Sequence, residues 1–304
     1  MTRRPALGYA MVLTAATLWA INGSVSKVIL TSGDVTSERL TQVRATGAFL
    51  LLFAVLLVWR RSTLRVTLHE LPFLVAFGVG GLALVAWFYF VAIERLEIGV
   101  ALLIQYVAPV LVALWARYVY HEDVRQRIWA ALALSIVGLS LLLQLWQGLE
   151  LDGIGLLASA GAALTFAFYI LMADRGIRRR STSSLLTYGF LFAALFWALV
   201  QPWTSFPWEL LDDSVSLLGR LESIELPVWL LVAWMVVLGT IVPFGLLVAA
   251  LRHITPTRAG ILAMFEPVAG TIVAYAWLHE ELAPTQLVGA AVVLAGIGLA
   301  QTAR

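Results

Sequence analysis

The chain has 304 residues, of which 61% are hydrophobic and 12% are charged, and its formal net charge is +2. Because soluble domains carry roughly 25% charged residues, this composition excludes a water-exposed globular protein. The sequence has no cysteine, which excludes disulfides, thiolate metal sites and a cysteine nucleophile. Nucleic acid is not expected as a partner either, since no basic, aromatic-bearing surface is apparent.

Long apolar segments follow one another along the chain, separated by charged residues, proline or glycine. A helix needs about 20 apolar residues to cross a bilayer, and these segments are continuous rather than alternating, which excludes a barrel. We therefore predict an all-α, multi-pass protein of the cell membrane. Its ten predicted transmembrane helices lie at residues 6–30, 38–59, 70–93, 99–118, 126–146, 153–174, 182–203, 227–251, 257–278 and 284–303.

The first segment follows Arg3 and Arg4, as the apolar core of a signal peptide would. It is too long for such a core and lacks an obvious cleavage site before a polar chain, so we expect it to be retained as the first helix.

Arginine is distributed unevenly between the two alternating sets of connections. One set holds Arg39, Arg95 and Arg220, whereas the other set and the two ends of the chain hold all other arginines except Arg44, which lies within a helix. Positive charge accumulates on the cytoplasmic side of membrane proteins. Both termini are therefore predicted to be cytoplasmic, which requires an even number of helices.

One connection, residues 204–226, is much longer than the others and is external on this topology. Its acidic residues alternate with apolar ones, a pattern that predicts an amphipathic helix on the membrane surface. These acids are Glu209, Asp212, Asp213, Glu222 and Glu225.

The second half of the sequence repeats the first. Residues 92–141 align without gaps to residues 250–299, and the alignment equates helices 4 and 5 with helices 9 and 10. The least expected matches are Pro109/Pro267, His121/His279, Glu122/Glu280 and Gly138/Gly296. A shift of five helices reverses orientation in the membrane, and inverted repeats are a recurring plan of secondary transporters.

These segments also resemble a known family. Ala108-Pro109-Val110 and Glu266-Pro267-Val268 each lead to a His-Glu pair and then to a helix that ends in glycine. This pattern is similar to the EamA domain of the drug/metabolite transporter superfamily. The resemblance covers two copies, about 6–145 and 153–302, and is loosest in the early helices, where Trp19 corresponds to Phe166. We place the two repeats at residues 1–147 and 148–304.

The resemblance implies a ten-helix bundle with cytoplasmic termini and a central cavity between the halves. It also implies transport of small metabolites, amino acids or drugs, more often by export than by import. We therefore expect a secondary transporter that works by alternating access, without a cofactor and without enzymatic activity. Its expected partners are a small-molecule substrate and membrane lipids, and the chain is expected to be a monomer or homodimer. A lipid flippase is the main alternative, and an intramembrane enzyme is a further one.

Glu266 is the leading candidate for a functional residue. It lies about 14 Å into helix 9, near the middle of the bilayer, where a charged side chain is costly unless it has a role. It either exchanges a proton or binds a cationic group, or it is a structural acid beside Pro267. Proline frees a backbone carbonyl within a helix, so Pro267 and Pro109 are both expected at a cavity wall.

Two cations lie in the outer half of the membrane on this topology. Arg44 in helix 2 and Lys27 in helix 1, with Asn22 nearby, are placed to bind a carboxylate or phosphate. Alternatively, Lys27 extends to the headgroups and Arg44 pairs within the bundle.

Several uncharged residues are further candidates to line the cavity, although such side chains most often only pack. They are Gln105, Tyr106, Trp19, Tyr89 and Thr240. Glycines at 78, 80, 81 and 239 permit close packing or bending in helices 3 and 8. The two His-Glu pairs would lie on opposite sides of the membrane, so we expect them to end helices and not to share a metal ion.

Overall fold

The computed structural model describes residues 4–30, 35–93, 95–96, 98–144, 152–279 and 281–302. Most of these residues are helical. Nine of the helices in the described part are long and apolar enough to cross a membrane, and one is shorter. In chain order the helices are α1 Pro5–Leu30, α2 Ser37–Trp59, α3 Leu68–Ile93, α4 Val100–Tyr118, α5 Gln126–Leu142, α6 Gly153–Ile177, α7 Thr182–Val200, α8 Val228–Ala250, α9 Pro256–Trp277 and α10 Pro284–Thr302. The shorter helix is α5.

The helix starts follow from local capping chemistry. The side chains of Thr36, Asp152, Ser181 and Thr255 each accept a hydrogen bond from a backbone N–H in the first turn of the helix that follows. These bonds satisfy donors that have no partner within the helix, a need that is most acute at a membrane boundary. The predicted segments agree with the observed helices because the hydrophobic runs and their caps coincide. Residues 145 and 146 of the fifth predicted segment, and the proposed repeat boundary at 147/148, lie outside the described residues.

Four helices depart from regular α geometry, and they do so in corresponding pairs. In α3 and α8 the backbone widens into π-helical turns at Ala76–Ala83 and Val237–Ile241. Gly81 and Gly239 lie within these turns and are separated by the same number of residues as Pro109 and Pro267. π-Turns of this kind occur most often at functional sites.

The other pair is α4 and α9, each interrupted near its proline. In α4 the regular helix stops at Gln105 and resumes at Ala108, and in α9 it stops at Ala263 and resumes at Phe265. A proline has no N–H to donate, so each interruption leaves a main-chain carbonyl one turn earlier without its helical partner.

Helices α5 and α10, which the sequence repeat equates, lie against each other in opposite directions. Arg127 at the start of α5 donates to the carbonyl of Thr302 at the end of α10 (3.4 Å), and Gln144 beyond the other end donates to Thr285 Oγ1 (2.8 Å). Contact between the backbones is so close that a Cβ on Gly138 would lie 2.5 Å from the amide nitrogen of Val293. Glycine at such contacts lets membrane helices pack closely without a large side chain between them.

The first and second halves of the chain are interleaved rather than side by side. Helix α1 packs against α8 and α9, α2 packs against α7, and α6 packs against α3 and α4. The site between the halves is therefore lined by helices from both.

Contacts among the connections group them at two ends of the bundle. At one end, Arg180 Nη1 donates to Glu70 Oε1 (2.8 Å), and the Arg4 amide donates to His253 Nδ1 (3.4 Å). At the other, Arg39 Nη1 donates to the Pro202 carbonyl (2.9 Å). We call these the arginine-rich end and the acidic end. Each contact joins connections that the arginine distribution assigns to the same side of a membrane.

The long connection between α7 and α8 is not the amphipathic helix expected from its sequence. It forms short 3₁₀ turns and a two-stranded antiparallel ribbon, β1 Ser214–Ser216 and β2 Glu225–Pro227. Prolines at its start and at the end of β2 interrupt any longer helix. Its apolar residues are buried instead against α1, α2 and α8, as Leu210 and Leu217 show.

The two repeated histidines share a backbone conformation. His121 and His279 have left-handed φ angles of 54° and 63°, just beyond the ends of α4 and α9. At the first of them, the Glu122 amide donates to the Ala116 carbonyl (2.9 Å) and closes the end of α4. Both histidines are thus helix-terminal residues. Glu280 lies outside the described residues.

Candidate functional site

A tyrosine and a carboxylate meet near the centre of the bundle. The Tyr106 hydroxyl donates to Glu266 Oε2 at 2.8 Å, and Tyr106 is almost fully buried. Tyr106 belongs to the interruption in α4, and Glu266 directly follows the interruption in α9. The bond therefore joins the equivalent interrupted helices of the two halves.

The two interruptions are packed against each other. A Cβ on Gly260 in α9 would lie 3.2 Å from Cβ of Pro109 in α4, so the glycine allows this proline to sit directly on the facing helix. Beyond the second interruption, Thr271 Oγ1 donates to the Pro267 carbonyl (2.9 Å). The prolines predicted at the cavity wall thus lie beside the Tyr106–Glu266 bond.

Arg44 reaches the same region from α2. Its Nε donates to Thr240 Oγ1 at 3.1 Å, and Thr240 is buried within the π-turn of α8. The Thr240 hydroxyl in turn donates to the Met235 carbonyl (2.9 Å), one residue further back than a regular α-helical bond would reach. The guanidinium is therefore fixed to an irregular part of the second half.

Arg44 and Glu266 are close enough for their charges to interact, but they are not paired directly. Within the described part of the chain no ion pair joins them; each is bonded to a neutral hydroxyl. Both side chains keep an intermediate exposure although they lie in the interiors of long apolar helices. Opposite charges therefore lie near each other in the middle of the bundle without direct contact.

Aromatic rings form one wall of this region. The Trp19 and Phe244 centroids are 5.1 Å apart in an edge-to-face arrangement, and Phe244 lies 5.6 Å from Tyr169. Phe166 stacks on Tyr169 (6.3 Å) and lies 6.4 Å from Tyr106. The corresponding Trp19 and Phe166 of the two copies therefore belong to one aromatic cluster beside Glu266.

Tyr89 packs beside Ala92, Ala101 and Ala158 and lies near enough to Glu266 for the two side chains to interact electrostatically. Gln105 is on the interrupted stretch of α4, and its buried Oε1 has no partner among the described residues. Asn22 is buried against Gly239 of the π-turn, and its Oδ1 likewise has no described partner. Of these residues, Asn22 adjoins the π-turn that holds Thr240 and Tyr89 lies near Glu266, and their role in lining a cavity stays a prediction.

Lys27 is not part of this group. It lies in the last turn of α1 and is exposed, two turns beyond Trp19. Conversely, Tyr169 and Phe244 were missed by the sequence reasoning. The repeat could have indicated Tyr169. It lies three residues after Phe166, just as Asn22 lies three residues after Trp19 in the first copy.

Comparison with known proteins is consistent with this architecture. Residues 6–144 and 153–302 each match the EamA-like transporter family. The chain belongs to that family. The protein is therefore a multi-pass membrane protein of a transporter family.

Individual relatives match most of the chain. An uncharacterized transporter of Archaeoglobus fulgidus is 29% identical over 70% of this chain and 70% of its own length. The threonine/homoserine exporter RhtA of Escherichia coli K12 is 25% identical over 97% of this chain and 92% of its own length. A solved crystal structure covers 98% of this chain and 97% of its own, with a TM-score of 0.77 and 22% identity, and so shares the fold.

Proposed function

We propose that this chain is a secondary transporter that exports small amino acids by alternating access. In this proposal all ten helices cross the membrane, both termini are cytoplasmic, and residues 1–147 and 148–304 form two inverted repeats. The observation that supports it is the pair of opposite charges, Arg44 and Glu266, which lie near each other without a direct ion pair and are each bonded to a neutral hydroxyl. The name of RhtA, a threonine/homoserine exporter, supports an amino-acid substrate.

The two charges fit the two ends of a zwitterion. A guanidinium binds a carboxylate through parallel N–H donors, and a carboxylate accepts hydrogen bonds from an ammonium group. Arg44 would hold the substrate carboxylate, and Glu266, oriented by Tyr106, would hold its ammonium group. The aromatic wall that includes Trp19 would pack against a short side chain and attract the ammonium through its ring faces.

The irregular helices support a mechanism in which the two halves exchange conformations. Corresponding helices of the two halves share their irregularities: the π-turns are in α3 and α8, and the interruptions are in α4 and α9. A helix of one half can therefore bend where its counterpart in the other half straightens. Inverted repeats give alternating access in this way, around a site near the middle of the membrane. The acidic end would be the external end. Two contacts fix the long connection there: Arg39 donates to the Pro202 carbonyl, and the Trp277 indole N–H donates to the Leu217 carbonyl (2.8 Å).

Glu266 also offers a means of coupling to protons. A protonated Glu266 has no negative charge with which to hold an ammonium group, so proton binding and substrate binding would exclude one another. The sequence has no glycine-rich nucleotide-binding loop that would couple transport to ATP. Exchange of a proton for an amino acid is therefore the proposed driving reaction.

The decisive experiment uses purified protein in liposomes and three labelled solutes. These are threonine, its carboxamide, which lacks the carboxylate, and the corresponding hydroxy acid, which lacks the ammonium group. Wild-type protein should prefer threonine. Arg44→Gln should lose the preference for threonine over the carboxamide. Glu266→Gln should lose the preference for threonine over the hydroxy acid, and its transport should no longer depend on a proton gradient.

Glu209→Gln is the matched control, because Glu209 is an exposed acid in the long connection. It should transport as wild type does. Unchanged selectivity in both the Arg44 and Glu266 variants would contradict the proposed binding mode. Movement of labelled phospholipid between leaflets, without amino-acid transport, would identify a flippase instead.

A further inference from the structure

A cavity remote from the central site lies where α4 ends and α5 begins. Its volume is about 690 Å³, and three arginines line it, Arg117, Arg125 and Arg127, together with Asp123 and Trp129. It is open to the surface at the arginine-rich end of the bundle. Nothing in the transport mechanism uses these residues.

The arginines of this cavity are not neutralised by the protein. Arg117 pairs with Asp123 at 3.1 Å, whereas Arg127 reaches only a backbone carbonyl, that of Thr302. Arg125, which precedes the first turn of α5, has no carboxylate partner in the described part of the chain. One aspartate thus faces three guanidinium groups, and the free donors of the first helical turn add to the positive potential.

Arginine accumulation at a cytoplasmic end does not by itself account for this arrangement. Elsewhere at the same end, Arg180 is paired with Glu70 and Arg178 with Asp174, both at 2.8 Å, whereas Arg60 and Arg61 are exposed on the surface and line no part of this cavity. The cavity differs because its positive groups converge on one concave space with a single acid among them. Such a space is suited to an anion that accepts several charge-assisted hydrogen bonds, as a phosphate does.

An apolar strip runs from the cavity along α4 into the membrane region. Leu114, Trp115 and Tyr118 are 37%, 41% and 70% exposed, and their spacing places them on one face of the helix. This face is not covered by another helix in the described structure, so lipid chains would contact it. Trp129 at the cavity and Trp115 on the strip are typical of the membrane–water interface.

From these observations we propose that the cavity binds the headgroup of an anionic phospholipid. The phosphate lies among Arg117, Arg125 and Arg127, and the acyl chains lie along the exposed face of α4. A basic pocket continuous with an apolar helix face matches both parts of such a lipid, whereas a soluble phosphate would use only the first. The inference does not depend on which solute is transported.

The test measures lipid binding to the delipidated full-length chain by native mass spectrometry. Phosphatidylglycerol and phosphatidylcholine with identical acyl chains are added separately to wild type, to Arg125→Gln/Arg127→Gln and to Arg60→Gln/Arg61→Gln. The control pair is exposed at the same end but outside the cavity. Wild type should prefer phosphatidylglycerol, the cavity variant should bind it about tenfold more weakly or worse, and the control should keep the preference.

Three results would overturn the proposal: equal loss in both double variants, equal binding of the two lipids by wild type, or displacement of phosphatidylglycerol by millimolar glycerol 3-phosphate. The last would indicate a site for soluble phosphates. A second measurement needs no variant. Raising the ionic strength should weaken phosphatidylglycerol binding to wild type and leave phosphatidylcholine binding unchanged, and a parallel loss of both would also count against the site.

Discussion

The Tyr106 hydroxyl and Glu266 form a 2.8 Å hydrogen bond between the interrupted helices of the two halves. The bond holds the one carboxylate of the central site in a defined position, and it does so through a residue of the opposite repeat. Any movement of α4 relative to α9 must therefore change the environment of Glu266. The relationship connects substrate recognition to the arrangement of the halves.

Tyr106→Phe should weaken amino-acid binding while preserving the fold. The substitution removes only the hydroxyl, and a hydrogen bond to a charged group contributes about 1.5–3 kcal/mol. We expect the apparent KM to be about tenfold higher for threonine and little changed for the hydroxy acid, because Glu266 contacts the ammonium group in the proposed binding mode. Concentration-dependent transport in liposomes measures this effect. Equal losses for both solutes would show that Tyr106 does not act through Glu266.

Gly239→Ala should destabilise the protein and slow transport. A Cβ at this position would collide with the Asn22 side chain, whereas at Gly245 in the same helix it would meet nothing within 4 Å. Overpacking of this kind costs about 1–3 kcal/mol. Thermal unfolding in detergent should show a lower Tm for Gly239→Ala and little change for Gly245→Ala. Adding Asn22→Ala should recover much of the lost stability; no recovery would mean that the contact is not the cause.

Arg180→Gln should loosen the arginine-rich end. Arg180 donates to Glu70 and to the carbonyls of Thr63 (3.1 Å) and Arg65 (3.0 Å), and its side chain is 8% exposed. A hydrogen bond to a charged group contributes about 1.5–3 kcal/mol, and the Glu70 left behind is 27% exposed, so we expect a loss in this range. The neighbouring Arg179→Gln is the control, since Arg179 is exposed. Hydrogen exchange of residues 61–70 should rise in the first variant only, and equal protection in the two variants would refute the assignment.

Arg39→Gln should free the start of the long connection at the acidic end. Its guanidinium donates to the Pro202 carbonyl (2.9 Å) and to Ser205 Oγ (2.5 Å). Because the sequence has no cysteine, Thr204→Cys at the neighbouring exposed position provides a unique label site that keeps both contacts of Arg39. A membrane-impermeant maleimide should react faster with this site when Arg39 is replaced, and only when added from the outside. Reaction from the inside would reverse the proposed topology.

The positions of the helices were predictable because hydrophobic length and boundary charge determine them. The helix irregularities were not. Glycines at 78, 80 and 81 suggested bending, but the π-helical backbone depends on what packs there: a Cβ on Gly81 would lie 3.2 Å from Cα of Tyr169, and that contact is tertiary. The long connection was predicted wrongly because its alternating acids indicated a surface helix, whereas its prolines and its buried leucines determine the fold.

The candidate site was predictable where charge is costly. Glu266 and Arg44 were identified because an ionisable group within an apolar membrane helix is energetically costly and so indicates a functional role. Their partners could not be read in the same way: the sequence indicates that Tyr106 and Thr240 lie at a suitable depth, but not that each bonds one of the charges. Phe244 gave no signal at all, since one phenylalanine in an apolar segment is indistinguishable from the packing residues around it.

The contact between α5 and α10 has an evolutionary consequence. Gly138 rests on the backbone of α10, and Gly296, its counterpart in the other copy, rests on Ser135 and the backbone of α5. The glycine-bearing faces of α5 and α10 thus contact each other in an antiparallel arrangement, with each glycine on the backbone of the other helix. On the proposed inverted topology, a protein of one copy would pair through this helix face with a second copy inserted in the opposite direction, and a duplicated gene would keep the same contact.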